Sequence, residues 1–463
     1  MTGIEKAGAT GEPHPYDTVL RSRRVVFPDG ERPAAVAVAN GRISAIADYD
    51  DALLATENID LGRDALLPGL VDSHVHINQP GRTHWEGFRT ATAAAAAGGV
   101  TTVIDMPLNS LPPTVDLPAF AAKRAAARGR CSVDVGFWGG AVPGNLTKMA
   151  ALHEAGVYGF KCFLSDSGVS DFPPLPAHAL QPVLREIARL GSVLLVHAEH
   201  SPRRPHVSAG RHYEDFLRTR PQQLEVAAVA EVMEASALTG GRAHIVHVSS
   251  CAAAELGARA KADGVPISLE TCPHYLVLEA GSVPPGATEF KCCPPIRGSS
   301  NRERLWALLE DGTLDCVVSD HSPAPSTAKA TGDFGTAWGG IASLELGLPL
   351  MWTQASRRGL RLADVVRWMS AGPAQLVGLA DRGAIAVGNS ADLVWFAPDA
   401  EFTIDKNSLR QRHPISPYHG LRLRGMVRTT WLSGTPTSDG LHGRLLRRGG
   451  RPSSALTMPS EQR

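Results

Sequence analysis

Net charge is missing from this chain: across 463 residues, 46 acidic side chains offset 46 basic ones with histidine neutral. That balance argues against a basic stripe for holding nucleic acid as the main business of the chain, and no nucleic-acid partner is expected. A disulfide framework is missing too, because seven cysteines, an odd number without repeated close pairs, point to a reducing compartment. No run reaches the ~18 to 20 apolar residues of a membrane helix, so no membrane partner is expected. The opening MTGIEKAGATGEPHPYD has no apolar signal core, and the reading is a cytoplasmic protein. Lysine is scarce, 8 of the 46 basic residues, so the placement of each one is informative. What is present is an ordinary globular balance, 43% hydrophobic and 20% charged, able to bury a large core.

Residues 1–16 are small, polar and Pro/Gly-bearing and read as a flexible tail. Residues 17–67 carry short β-branched runs broken by turns, with Asn40-Gly41 between two alternating segments as a hairpin signal. The signature returns over 381–450, in 383–388, 392–396 and 426–432, ahead of a 451–463 tail. Neither end has strands enough to bury both faces of a sheet, so the two are expected to build one small β-sandwich-like domain together. Between them, over 68–380, strand-like runs alternate with helix-compatible stretches. The eight runs are 66–77, 100–107, 132–141, 157–164, 192–199, 242–250, 266–276 and 314–323. Such alternation is the pattern of a TIM (β/α)8 barrel, which makes the whole an α/β protein.

Histidines fall at the ends of these runs. His74 and His76 lie two apart, and the strand period of 2 puts both imidazoles on one face, where they can chelate one cation. His197, His247 and Asp320 close three other runs. In a barrel all such ends meet at one mouth, where barrel enzymes place their chemistry. One histidine in an apolar run is ordinarily a satisfied core side chain. Five nitrogen and oxygen donors from four strands are another matter, and suit zinc or a neighbouring divalent ion. Lys161 lies inside the apolar run VYGFKCFL, where an unpaired ammonium is costly to bury. Either its head reaches the mouth and pairs with an acid, or its amine reacts with CO2 to give a carbamate that can bridge two cations.

Longer segments are more specific than these single residues. They are Pro68-Gly-Leu-Val-Asp-Ser-His-Val-His76, Asn78-Gln-Pro-Gly-Arg82 with Trp85-Glu-Gly-Phe88, Gly98-Gly-Val-Thr-Thr102, and Asp105-Met-Pro-Leu-Asn-Ser110. Further along come Gly159-Phe-Lys-Cys-Phe163, Glu270-Thr-Cys-Pro-His-Tyr275, Lys291-Cys-Cys-Pro-Pro-Ile-Arg297, Ser319-Asp-His-Ser-Pro323 and the stretch Ala384–Leu393. Together they resemble the amidohydrolase superfamily in its cyclic-amidase branch, beside the hydantoinases, dihydropyrimidinases and dihydroorotases, and are most similar to the allantoinases. The resemblance implies two divalent ions, zinc first, with cobalt, iron or manganese tolerated. His74, His76 and Asp320 would hold one ion and His197 and His247 the other, with carbamylated Lys161 between them. Asp320 would also carry the catalytic proton. The implied substrate is allantoin, touched by Asn78, Asn109, Ser322 and the loops 293–296 and 338–341, in a homotetramer.

Two departures separate the sister activities. Dihydroorotases typically carry an arginine two residues after the second histidine, where this chain has Asn78, and dihydropyrimidinases a tyrosine shortly after the bridging lysine, where it runs Lys161-Cys-Phe-Leu-Ser-Asp166. A hydantoinase of broader range is the second reading. Scaffold relatives, the collapsin response mediator proteins, lack much of the metal shell, whereas no ligand position is missing here. Cys272, Cys292 and Cys293 read as packing, His274 and His321 as orienting neighbours, and Arg203-Arg204 with the stretch from Arg444 onward as solvated surface.

Overall fold

A computed structural model describes residues 4–6, 14–201 and 210–449. Asn40 and Gly41 both take positive φ, 54° and 73°, the two-residue turn that matches the right-handed twist of strands. They join Gly30–Ala39 to Arg42–Ala47 with Ala39 opposite Arg42, as the sequence suggests. Tyr16–Phe27 pairs with Gly30–Ala39 and also with Ala55–Asp60 and Ala65–Pro68. Ala65–Pro68 then pairs with Leu393–Thr403, which carries Arg422–Leu432, so the two chain ends share one sheet. One apolar cluster beneath it mixes Leu20, Val36 and Ile43 with Ile385, Leu393 and Trp431. The 383–388 stretch departs from expectation: it forms turns, because Gly383 and Gly388 at φ 88° and 91° interrupt the extended run. Ile4–Lys6 adds a short antiparallel strand against Glu57–Ile59 where the sequence suggests only tail. The 451–463 tail and Arg203-Arg204 lie outside the described residues.

The barrel strands are Leu70–Val75, Val100–Asp105, Asp134–Phe137 continued by Gly139–Gly140, Phe160–Phe163, Leu194–His197, Ala243–Ile245, Ile267–Thr271 and Cys316–Val317. Neighbours run parallel. The ring closes where Val75 bridges His321 and the His76 N–H donates to the His321 carbonyl at 2.8 Å. The helix-compatible stretches 89–97, 117–128, 176–190, 221–238, 252–263 and 302–311 all carry helices. Ala177–Leu190, for example, buries Leu180, Val183, Leu184 and Ile187, one stripe at helical spacing, and ends on Gly191 at φ 59°. The 266–276 run is only partly strand: the ladder stops at Thr271 and Pro273, which has no N–H to donate, opens the helix Pro273–Val277. Among the described residues no helix is long and apolar enough to cross a membrane.

The 66–77 run is two strands in two sheets, divided at Gly69. Its N–H donates to the Asp392 carbonyl at 2.7 Å and its carbonyl accepts from Ser370 Oγ at 2.6 Å, tying the sandwich to the barrel. A Cβ there would sit 2.2 Å from Thr101 Oγ1. Gly69→Ala is therefore expected to cost about 1–3 kcal/mol through overpacking, read as a fall in Tm with the fold retained. The Arg444 region also departs from the solvated reading: its backbone N–H donates to Asp134 Oδ1 at 2.6 Å, and Arg382 Nη2 donates to Oδ2 of the same buried carboxylate at 2.6 Å. That arrangement pins the C-terminal segment to the third barrel strand.

Candidate metal centre and pocket

His74 lies on the first barrel strand and His76 just beyond its end. Their Nε2 atoms come to 3.2 and 3.5 Å from the same Asp320 Oδ1, which stands beyond the eighth strand. His197 closes the fifth strand with Nδ1 3.0 Å from Nε2 of His247, beyond the sixth. The two groups are continuous, since donor atoms of His74, His247 and Asp320 all lie within 4.8 Å of one another. Burial lowers His76 to about 4 and pushes His197 and His247 below the ordinary imidazole range, so these rings are neutral and keep lone pairs for a cation. Burial alone would raise Asp320, but the neighbouring His74 and the hydrogen bond from His76 outweigh it and hold the carboxyl well below its usual range.

Lys161 sits in the fourth strand, fully buried, and its Nζ has no hydrogen-bond partner among the described residues. Burial lowers it to about 8, against the opposing pull of Glu270 and Asp320. The expected escape, a head reaching the mouth to pair with an acid, is not what its burial describes. An amine lowered that far has a free lone pair on a meaningful fraction of molecules near neutrality.

Backbone conformation marks the same place. Asn78 and Asn109 at φ 67°, His247 at 40° and Asp320 at 44° are four of the six non-glycine residues with positive φ among those described. Each such residue costs on the order of 1–3 kcal/mol and persists only where its surroundings fix it, which is why such residues gather at functional sites.

A cavity of about 1130 Å³ opens over these donors. His76, His197, His247 and Asp320 line it, together with Asn109 and Ser322. Cys293 and Trp338–Gly340 contribute from the two anticipated loops, while Arg220 and Lys291 line it without having been foreseen. Asn78 departs from expectation. It is 1% exposed, stands outside the lining, and donates from Nδ2 to the Pro323 carbonyl at 3.3 Å, bracing the turn after Asp320. His321 lies 3.4 Å from Glu86, whereas Cys272 and His274 crowd Asp320, their donor atoms within 4.8 Å of its carboxylate.

Sequence reasoning gave Glu270 no role. It is fully buried, with Oε1 2.5 Å from His74 Nδ1, and His74 and His244 hold it at about 2 although burial alone would raise it. The signal was weaker than for Lys161: Ile267–Thr271 reads ISLET, where Ser268 and Thr271 make an acid less conspicuous than a lysine in VYGFKCFL.

The amidohydrolase family model matches residues 65–437. An allantoinase of Streptomyces avermitilis is 53% identical over 425 residues, covering 90% of this chain and 94% of that one. An allantoinase of Saccharomyces cerevisiae is 46% identical over 379 residues, covering 80% and 82%. Among solved structures, the L-hydantoinase (dihydropyrimidinase) of Arthrobacter aurescens superposes with a TM-score of 0.86 at 32% identity, covering 94% of this chain and 98% of that one.

Proposed function

The chain belongs to the amidohydrolase family, and from that premise we propose that it is an allantoinase, opening the hydantoin ring of allantoin by hydrolysis to give allantoate in purine degradation. The observation that carries this reading is the gathering of His74, His76, His197, His247 and Asp320 at one mouth, in a chain 53% identical to an allantoinase over 90% of its length.

The donor set fits a pair of divalent cations, zinc before cobalt, iron or manganese, because neutral imidazoles and a carboxylate are what such ions take. His74, His76 and Asp320 would hold one and His197 and His247 the other. The unpartnered Nζ of Lys161 supports a carbamate between them: the amine attacks CO2, a C–N bond forms, one proton leaves, and a buried cation becomes a two-oxygen anionic ligand. When bound, the ions supply Lewis acidity toward the ring carbonyl and acidify water toward neutral pH. Asp320, held ionised, accepts the proton of the attacking water and returns it to the departing ring nitrogen. Asn109, Ser322 and the Trp338–Gly340 loop face the cavity where the ring and its ureido tail would rest.

The test is a side-by-side assay of metal-replete protein with allantoin, dihydrouracil and 5-substituted hydantoins. A site built to hydrogen-bond the ureido tail favours allantoin in kcat/KM by at least about 10²-fold. The likeness to a hydantoinase structure supports the second reading, which predicts comparable or better turnover of the tail-less rings. A scaffold protein would open none of them and hold no cation.

A further inference from the structure

Glu270 is bonded to both halves of the donor set at once. Through Oε1 it accepts from His74 Nδ1 at 2.5 Å and from the backbone N–H of His247 at 3.2 Å. Through Oε2 it accepts from His244 Nε2 at 2.9 Å, and Nδ1 of His244 accepts in turn from the Ser268 hydroxyl at 2.7 Å. Glu270, His74, His244 and His247 are all buried, and Ser268 is half-buried at the end of the chain of bonds. The proton assignments are forced along this chain. A carboxylate only accepts, so His74 must carry its proton on Nδ1, which leaves the Nε2 lone pair directed at Asp320 and free for a cation. His244, likewise committed through Nε2–H, is completed by Ser268. His247 stands at φ 40°, a backbone conformation that needs an external hold, and its N–H finds one in the same carboxylate.

We infer that Glu270, braced by His244 and Ser268, is the positioning residue that sets the tautomer of His74 and the backbone of His247, and so tunes both cation sites together. Toward the donor set its bonds go to His74 and to the His247 backbone, and it acts through these two ligands. The inference rests on the metal-enzyme reading above and deepens it.

The experiment measures zinc binding by competition with a chromophoric chelator, which needs no substrate. Glu270→Leu keeps bulk but offers no acceptor, so both zinc equivalents are expected to weaken by about 10- to 100-fold. Glu270→Gln can still accept from His74 through its single oxygen while losing the charge, so its zinc affinity falls between that of Glu270→Leu and wild type. If Glu270→Leu does not fold, Glu270→Gln carries the test alone, with both equivalents weakened by several-fold and the metal-free Tm close to wild type. Wild-type zinc affinity at both equivalents in Glu270→Gln and Glu270→Leu overturns the inference, as does a loss confined to one equivalent. Wild-type protein that binds no zinc would refute the underlying metal-enzyme reading instead, which keeps the two failures apart.

Discussion

Lys161→Ala is expected to lower kcat for allantoin by roughly 10³-fold or more, because it removes the anionic bridge on which electrostatic stabilisation of the reacting carbonyl depends. The alanine leaves a buried gap where the Lys161 head interacts with Asp320 and His247. Small carboxylates such as acetate or propionate fit that gap and restore two oxygens, so activity should recover in part as their concentration rises. Lys161→Arg should not recover, since a guanidinium stays protonated and forms no carbamate. The measurement is the rate of allantoate formation with and without added carboxylate. Full activity of Lys161→Ala without rescue would mean that the lysine is only a packing residue.

Asp320→Asn is expected to lower kcat by about 10²–10⁴-fold while KM changes little, because the amide can no longer take up and return a proton. The side chain also belongs to the donor set, so metal content is measured on the same sample. The loss should persist at saturating zinc, when cation occupancy is restored. Recovery of wild-type kcat under saturating zinc would assign Asp320 to metal retention alone and place the proton on another group.

These effects could be argued from the sequence because strand geometry is short-range. His74 and His76 share a face by the strand period alone, and His197, His247 and Asp320 follow strands whose ends a barrel must bring together. The relation of Glu270 to His74 was not legible in that way. Those residues stand 196 positions apart and meet only once the ring closes, with the eighth strand alone between the first and the seventh. The docking of Arg444 onto Asp134 spans 310 positions, and its charge alone suggested solvent. The 66–77 run hides the change of sheet at Gly69, because the residues on either side are equally apolar and only the approach of Thr101 shows why a glycine stands there. The resemblance implied a substrate contact for Asn78, whereas its backbone at positive φ goes with a side chain that donates to the Pro323 carbonyl.

The central claim is that these dispersed side chains enclose two cations joined through Lys161. Anomalous-scattering maps from crystals grown with zinc and bicarbonate test it most directly. Two peaks are expected, one among His74, His76 and Asp320 and one between His197 and His247, with continuous density from Lys161 Nζ to a three-atom carboxyl group touching both. A map with no peak at these residues, and an unmodified Lys161 amine, would contradict it.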